Sequence, residues 1–175
     1  MMYEVLASYY DALVKDEEAT DAWVNLIMAN VKGNTVLEAA CGSGEITIAL
    51  AKHGYQITAF DLSEQMIAQA KKKEGSELVN WQVGDMRALP AGRYDAILCL
   101  CDSFNYLLTK EEVRHFFAQC FDRLTDEGTL IVDMHSMDRL KEFEEEYNET
   151  GCIDGEDYQW TIESEDDRIY QSFAF

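Results

Sequence analysis

Glu38, Asp61 and Asp85 each close a short apolar run, and the first leads into a glycine turn, Cys41-Gly42-Ser43-Gly44. The chemistry open to such a set is ligand capture. Gly42 and Gly44 permit unusual main-chain dihedrals and let a ligand come close to the backbone. The helix that follows points its first unpaired N–H groups at the same spot. An acid beside those donors suits a ligand carrying both a cationic amine and a carboxylate. A bare phosphate would be repelled, and a phosphate cradle calls for Lys or Arg instead. Asp61 lies about twenty residues past the turn, the spacing at which an acid takes both hydroxyls of a ribose. Ser63 is placed to cap the next helix, which leaves Asp61 for that role. These two anchors point to an adenosine-bearing ligand, although a glycine turn by itself serves a nicotinamide or flavin site equally well.

A second candidate for chemistry is His135, which closes a later apolar run, whereas His53 and His115 fall on predicted helices as surface or packing residues. A neutral imidazole at that place could accept a proton from an attacking amine or hydroxyl. Isolated histidines are more often structural, and group transfer often needs only alignment.

The elements that would position these residues follow from periodicity. Residues 35–50, TVLEAACGSGEITIAL, read as buried strand, turn and amphipathic helix. Further strands are expected at 55–60, 78–83, 94–100 and 129–134, with helices at 64–73 and 110–124, the latter presenting Val113, Phe116, Phe117, Cys120 and Phe121 on one face. An earlier helix is expected to bury Trp23, Leu26 and Ile27. In open α/β sheets ligands bind beyond the carboxyl ends of the strands where strand order reverses, so the loop at 101–108 should face the ligand.

With these elements in order, the chain resembles the class I S-adenosylmethionine-dependent methyltransferases of a small bacterial type. Glu38-Ala39-Ala40-Cys41-Gly42-Ser43-Gly44 looks like their first motif, departing at Ala40 where many members have glycine. The resemblance implies S-adenosylmethionine as cofactor, with Glu38, Ala40, Gly42, Ser43 and Gly44 around its methionine part and Asp61 on its ribose. It further implies that Leu62 and Met66 pack near ribose and adenine, that Asp85 accepts from the adenine amino group, and that the Met86 backbone reads a ring nitrogen. Cys101-Asp102-Ser103-Phe104-Asn105-Tyr106 looks like the fourth motif, where the backbone at Leu100 or Cys101 would hold the methionine amine and Asp102 and Asn105 would border the substrate. Asp102 and Ser103 could instead merely cap the following turn. Ala7-Ser8-Tyr9-Tyr10-Asp11 is similar to the family's lead-in, making Tyr10 a lid residue. A nicotinamide enzyme has no use for Asp85, and Thr47 stands where its third glycine would be.

Composition bounds the partners. The 175 residues suit one ordinary domain, and a net charge of -20 argues against a nucleic-acid binder, whose affinity rests on Lys and Arg. Five cysteines with no leader ahead of them read as reduced cytoplasmic thiols. Cys99 and Cys101 would share one side of a strand as core residues, without the spacing of a metal site. No apolar run is long enough to cross a bilayer.

The expected architecture is a Rossmann-like α/β sheet of central order 3-2-1-4-5 over residues 1–137, followed at 138–175 by an acidic helix and a β-hairpin. That last part holds thirteen acids against three bases, a net of -10, and the helix is expected at 137–147. The resembled family goes on to complete this insert and add two strands to the sheet. Their lack here would leave strand five an exposed edge, which predicts either a short or truncated protein or a homodimer covering that edge. The implied function is methyl transfer to a small-molecule acceptor. The rival is a catalytically inactive S-adenosylmethionine-binding partner.

Overall fold

The computed structural model describes residues 11, 13, 16–153 and 155–174. Tyr10 and the rest of the expected lid apart from Asp11 lie outside these residues. Five strands, β1 (Thr35–Ala39), β2 (Gln56–Asp61), β3 (Val79–Val83), β4 (Tyr94–Cys99) and β5 (Leu124–Val132), form a parallel sheet of order β3-β2-β1-β4-β5. The central strands are apolar along their length because both of their faces are covered. Val36, Leu37, Ala39, Ala96, Ile97 and Leu98 are fully buried.

Alternation splits the core into two layers. Val36, Ile57, Ala59, Ala96 and Leu98 pack with Val24 and Ile27 of α1 (Glu17–Asn30) and with Leu50 and Ala51 of α2 (Glu45–Lys52). Leu37, Ala39, Phe60, Ile97 and Cys99 pack with Phe116 and Cys120 of α4 (Lys110–Arg123). Between them in sequence, α3 (Glu64–Ala70) leans on β2 and β3, its start capped by the Ser63 hydroxyl accepting from the Met66 N–H. A capping box between Thr109 and Glu112 starts α4.

Several boundaries and faces differ from expectation. Val24 rather than Leu26 shares the buried stripe of α1 with Ile27, and Leu26 is exposed. On α4 the stripe is Val113, Phe116 and Cys120, since at 100° per residue Phe121 falls past its edge and is 82% exposed. β5 begins early because Leu124 already pairs with Tyr94. The next pair is Thr129 with Ala96, so 125–128 loop out of register as the expected turn inside one strand. Cys99 and Cys101 do not share a face. Cys99 is buried at the strand's end, whereas Cys101 has φ 52° and is exposed, because the chain turns between them.

The C-terminal part departs more. α5 (Met137–Glu142) stops well short of residue 147, and the hairpin is a three-stranded antiparallel sheet of β6 (Tyr147–Ile153), β7 (Glu156–Glu165) and β8 (Arg168–Ala174). Acids crowding 144–149 mask the alternation of β6, whose pairing with β7 is what defines it. Trp160 pairs with Phe173, Ile162 with Gln171 and Ser164 with Ile169, so these six share one face. Ser164 fastens the sheet to α5, its N–H donating to the Phe143 carbonyl at 2.9 Å and its hydroxyl to the Leu140 carbonyl at 2.8 Å.

Candidate functional site

At the carboxyl ends of β1, β2 and β4 lies a cleft of about 790 Å³, bounded on one side by the strand-end loops and on the other by the β7–β8 sheet face. Glu38, Asp61 and Asp85 all line it, as do Ala40, Gly42, Ser43 and Gly44. The turn owes its shape to left-handed backbone at Ala40 (φ 55°), Gly42 (φ 55°) and Gly44 (φ 79°). A Cβ on Gly42 would meet nothing within 4 Å, so this glycine opens onto free space, whereas one on Gly44 would come to 2.4 Å from the Trp81 ring. Gly44 is therefore needed for packing and Gly42 for approach to the backbone.

The acids are held very differently. Asp61 accepts from the Gly42 N–H at 2.9 Å and the Ser63 N–H at 2.8 Å. Burial raises its pKa, and those backbone donors pull against the rise. Asp85 is gripped by Arg87, whose Nη2 donates at 2.7 Å and whose Nε reaches both oxygens at 3.0 Å, and this guanidinium holds the carboxyl below its usual range. Arg87 also reaches Glu112 of α4 at 3.3 Å. Glu38 is only 3% exposed, and its Oε2 has no hydrogen-bond partner among the described residues. Burial lifts its pKa to about 7. The Thr47 hydroxyl pulls the other way, although it makes no hydrogen bond of ordinary geometry. Burial, and then the charges of Glu38 and Asp61, push the Cys41 thiol well above its ordinary value.

The donor set fits a cofactor that brings a cation to Glu38, hydroxyls to Asp61 and an amino group to Asp85. Ser43 is buried, and its hydroxyl donates to Asp11 at 2.5 Å while accepting from Lys73 at 3.0 Å. Lys73 also bridges Asp11 at 2.7 Å and Glu45 at 2.6 Å. Neither Lys73 nor Arg87 was legible as a site residue, because each sits on a stretch whose own pattern reads as solvated surface. Leu62, Met66, Met86, Leu100 and Cys101 line the cleft, with Met66 and Leu100 buried and Leu62 exposed.

The three residues expected around the acceptor do come together. His135 Nε2 stands 3.0 Å from Asp102 Oδ2, and both line the cleft. Asn105 is not on the cleft wall. It braces the pair instead, its amide nitrogen donating to the Asp102 carbonyl at 2.9 Å and its oxygen accepting from the His135 N–H at 3.3 Å. A fourth residue joins them. The Asp133 carboxylate accepts from the Asp102 N–H at 3.1 and 3.2 Å, and burial raises its pKa. Cys101 and Asp102, with φ of 52° and 53°, are consecutive non-glycine residues in the left-handed region, a strain characteristic of functional loops. On the opposite wall stand Phe143, Trp160, Ile162, Ile169 and Phe173.

A parallel sheet of this order, with acids closing β1 and β2 beside a glycine turn, defines a nucleoside-binding α/β protein. The chain belongs to the methyltransferase-domain family, whose pattern matches residues 36–128, within the class I S-adenosylmethionine-dependent methyltransferases. S-adenosylmethionine is the cofactor of that class. Among curated relatives, the methyltransferase-family protein YqeM of Bacillus subtilis (strain 168) is 40% identical over 147 residues, 81% of this chain and 59% of that protein. A glycine/sarcosine N-methyltransferase of Halorhodospira halochloris is 36% identical over 111 residues, 60% of this chain and 41% of its own. The chain thus spans less than two thirds of their length. The crystal structure of an S-adenosylmethionine-dependent methyltransferase from Clostridium acetobutylicum ATCC 824 superposes with TM-score 0.74 at 25% identity, covering 98% of this chain and 74% of that one. Among the described residues no helix is long and apolar enough to cross a membrane.

Proposed function

We propose that this chain binds S-adenosylmethionine across the ends of β1 to β3 and transfers its methyl group to a small-molecule acceptor. The observation that carries the reading is Glu38, a buried carboxylate on the cleft floor with an oxygen that no described residue satisfies. Such a group is costly unless a ligand supplies the missing partner. The methionine amine does so, helped by the backbone at Leu100 and Cys101, while the N–H groups of the glycine turn from Gly42 to Gly44 take the carboxylate. Asp61 holds the ribose. Asp85 and the Met86 backbone read the adenine, with Leu62 and Met66 packing on it. Residues 1–137 form this cofactor unit and 138–175 the appendage facing it.

The bound sulfonium supplies an electrophilic methyl group, and the protein's part is alignment and proton removal. His135 takes the proton from the attacking group, with Asp102 orienting the ring and Asn105 and Asp133 holding Asp102 in place. Calorimetric titration with S-adenosylmethionine, S-adenosylhomocysteine and NAD tests the assignment. Binding of the first two without the third is expected, and NAD binding alone overturns it. Release of S-adenosylhomocysteine in the presence of acceptors separates an enzyme from a protein that binds the cofactor without transfer.

A further inference from the structure

The cleft is larger than one nucleoside-sized ligand requires, and its second half has a character of its own. Its wall is one face of the antiparallel sheet, built by strict alternation from Trp160 and Ile162 on β7 and Ile169 and Phe173 on β8. The Trp160 and Phe173 rings stack at 5.1 Å and 17°, Tyr147 meets Trp160 edge-on at 6.1 Å, and Phe143 meets Tyr147 at 6.5 Å. This is a continuous aromatic ladder within a segment that is otherwise strongly acidic. Across from it are Asp102 and His135, with Asp133 behind them.

The charge around the cleft selects the ligand. Asp11, Asp16, Glu38, Glu45, Asp61, Asp85 and Asp102 line it, against Arg87 and Arg139 among the described residues. Both arginines are engaged, Arg87 by Asp85 and Glu112 and Arg139 by Glu142. No unpaired cation among the described lining residues waits for a carboxylate or phosphate on the acceptor. A cation, by contrast, gains from the carboxylates and from the faces of the aromatic rings.

Resting on the cofactor reading above, we propose that the acceptor is a cationic amine carried on an apolar body, which lies against the β7–β8 wall while the ammonium group meets Asp102 and His135. His135 Nε2 and Asp102 Oδ2 stand 3.0 Å apart, and the neutral imidazole offers the lone pair of one ring nitrogen as the base. The ammonium group, R–NH3+, gives one proton to that nitrogen and becomes a neutral amine. Its lone pair forms the new N–C bond to the methyl carbon as the S–C bond breaks, with the electron pair of the broken bond going to sulfur. The product leaves as the methylammonium R–NH2–CH3+, and His135 returns its proton to water. The same argument disfavours an acceptor as small and as anionic at its far end as glycine.

The test uses the full chain loaded with S-adenosylhomocysteine and titrated with phenethylamine, its neutral isostere 2-phenylethanol, the anion 3-phenylpropanoate, and glycine. Phenethylammonium is expected to bind at least about tenfold more tightly than the other three. Trp160→Ala should weaken it about tenfold and Trp160→Phe should restore most of the loss, with both variants checked for an unchanged melting temperature of the loaded complex. Asp102→Asn should abolish the preference for the ammonium over the alcohol. In turnover it should shift the alkaline rise of the pH–rate profile, a change that a purely structural role for Asp102 would not produce. Equal binding of alcohol and amine, tighter binding of glycine or the carboxylate, or no amine binding to the loaded chain overturns the acceptor class and leaves the cofactor reading standing. Failure to bind S-adenosylhomocysteine overturns both.

Discussion

Asp95 at the amino end of the parallel sheet and Glu38 at the carboxyl end are both carboxylates beside a turn, and they are treated in opposite ways. Asp95 Oδ2 accepts from the Asn34 N–H at 3.0 Å, the Thr35 N–H at 3.0 Å and the Thr35 hydroxyl at 2.7 Å, and those donors hold its pKa low. Gly33 (φ 89°), where any Cβ would strike Asp95 at 2.4 Å, completes a junction in which each group meets its partner. At the other end Glu38 has no partner for Oε2 among the described residues, and three non-glycine residues, Ala40, Cys101 and Asp102, are held at positive φ. One end spends its polar groups on stability. The other keeps them in reserve for a ligand, and the fold as a whole bears the cost.

The sharpest break in this comparison is expected at Glu38. Its folded pKa of about 7 lies above the ordinary value of 4.5, so the folded state binds the extra proton. Its penalty is absent below pH 4.5, grows as pH rises and is complete above about pH 7, where it amounts to about 3 kcal/mol. Glu38→Gln should therefore stabilise the ligand-free protein at pH 8 by up to that amount, with the gain fading towards pH 4.5, as read by urea unfolding at both pH values. The same substitution should weaken S-adenosylmethionine binding at least about tenfold. A variant both less stable and equally able to bind would remove the assigned role.

Asp95→Ala should do the reverse. Loss of three hydrogen bonds to a carboxylate should cost about 2–3 kcal/mol in unfolding experiments while leaving cofactor affinity unchanged. With a depressed pKa, the wild-type contribution is present above the usual value of 3.8 and is lost as pH falls through the lower folded value. Asp61→Ala should weaken S-adenosylmethionine about tenfold by calorimetry, with a small loss of stability because the Gly42 and Ser63 N–H groups lose their acceptor. Unchanged affinity would contradict the ribose role. The smallest effect is expected at Ala40. Gly tolerates φ 55° without the left-handed penalty, so Ala40→Gly should stabilise by about 0.5–1 kcal/mol, less the greater unfolded-state freedom of glycine. A melting temperature that falls would show that the Ala40 methyl group has packing value that outweighs its strain.

Legibility in the sequence tracked how local the governing force is. The strand, glycine turn and helix of residues 35–50 were legible because apolar runs, caps and left-handed positions act within a few residues. The strand order 3-2-1-4-5 was expected from the resemblance to the methyltransferase fold, and the sheet has that order. The stripe of α4 was overread because neighbouring phenylalanines at 116, 117 and 121 cannot all face the core, and only the position of Phe104 decides that Phe117 is partly covered. β6 was missed because a strand made mostly of polar residues is defined by its partner. Arg87 and Lys73 escaped notice because a cation's partners lie on other elements, Glu112 in one case and Asp11 and Glu45 in the other.

By itself the sequence determined the order of elements, the acids that end the strands and the family to which they belong, because these depend on backbone geometry and side-chain periodicity over short spans. Only the tertiary structure decided which of those acids is left unsatisfied, that Asn105 braces the His135–Asp102 pair from outside the cleft wall, and that an acidic tail turns an aromatic face onto the cleft. Burial and pairing are properties of groups far apart in the chain, and they exist only once the chain has folded.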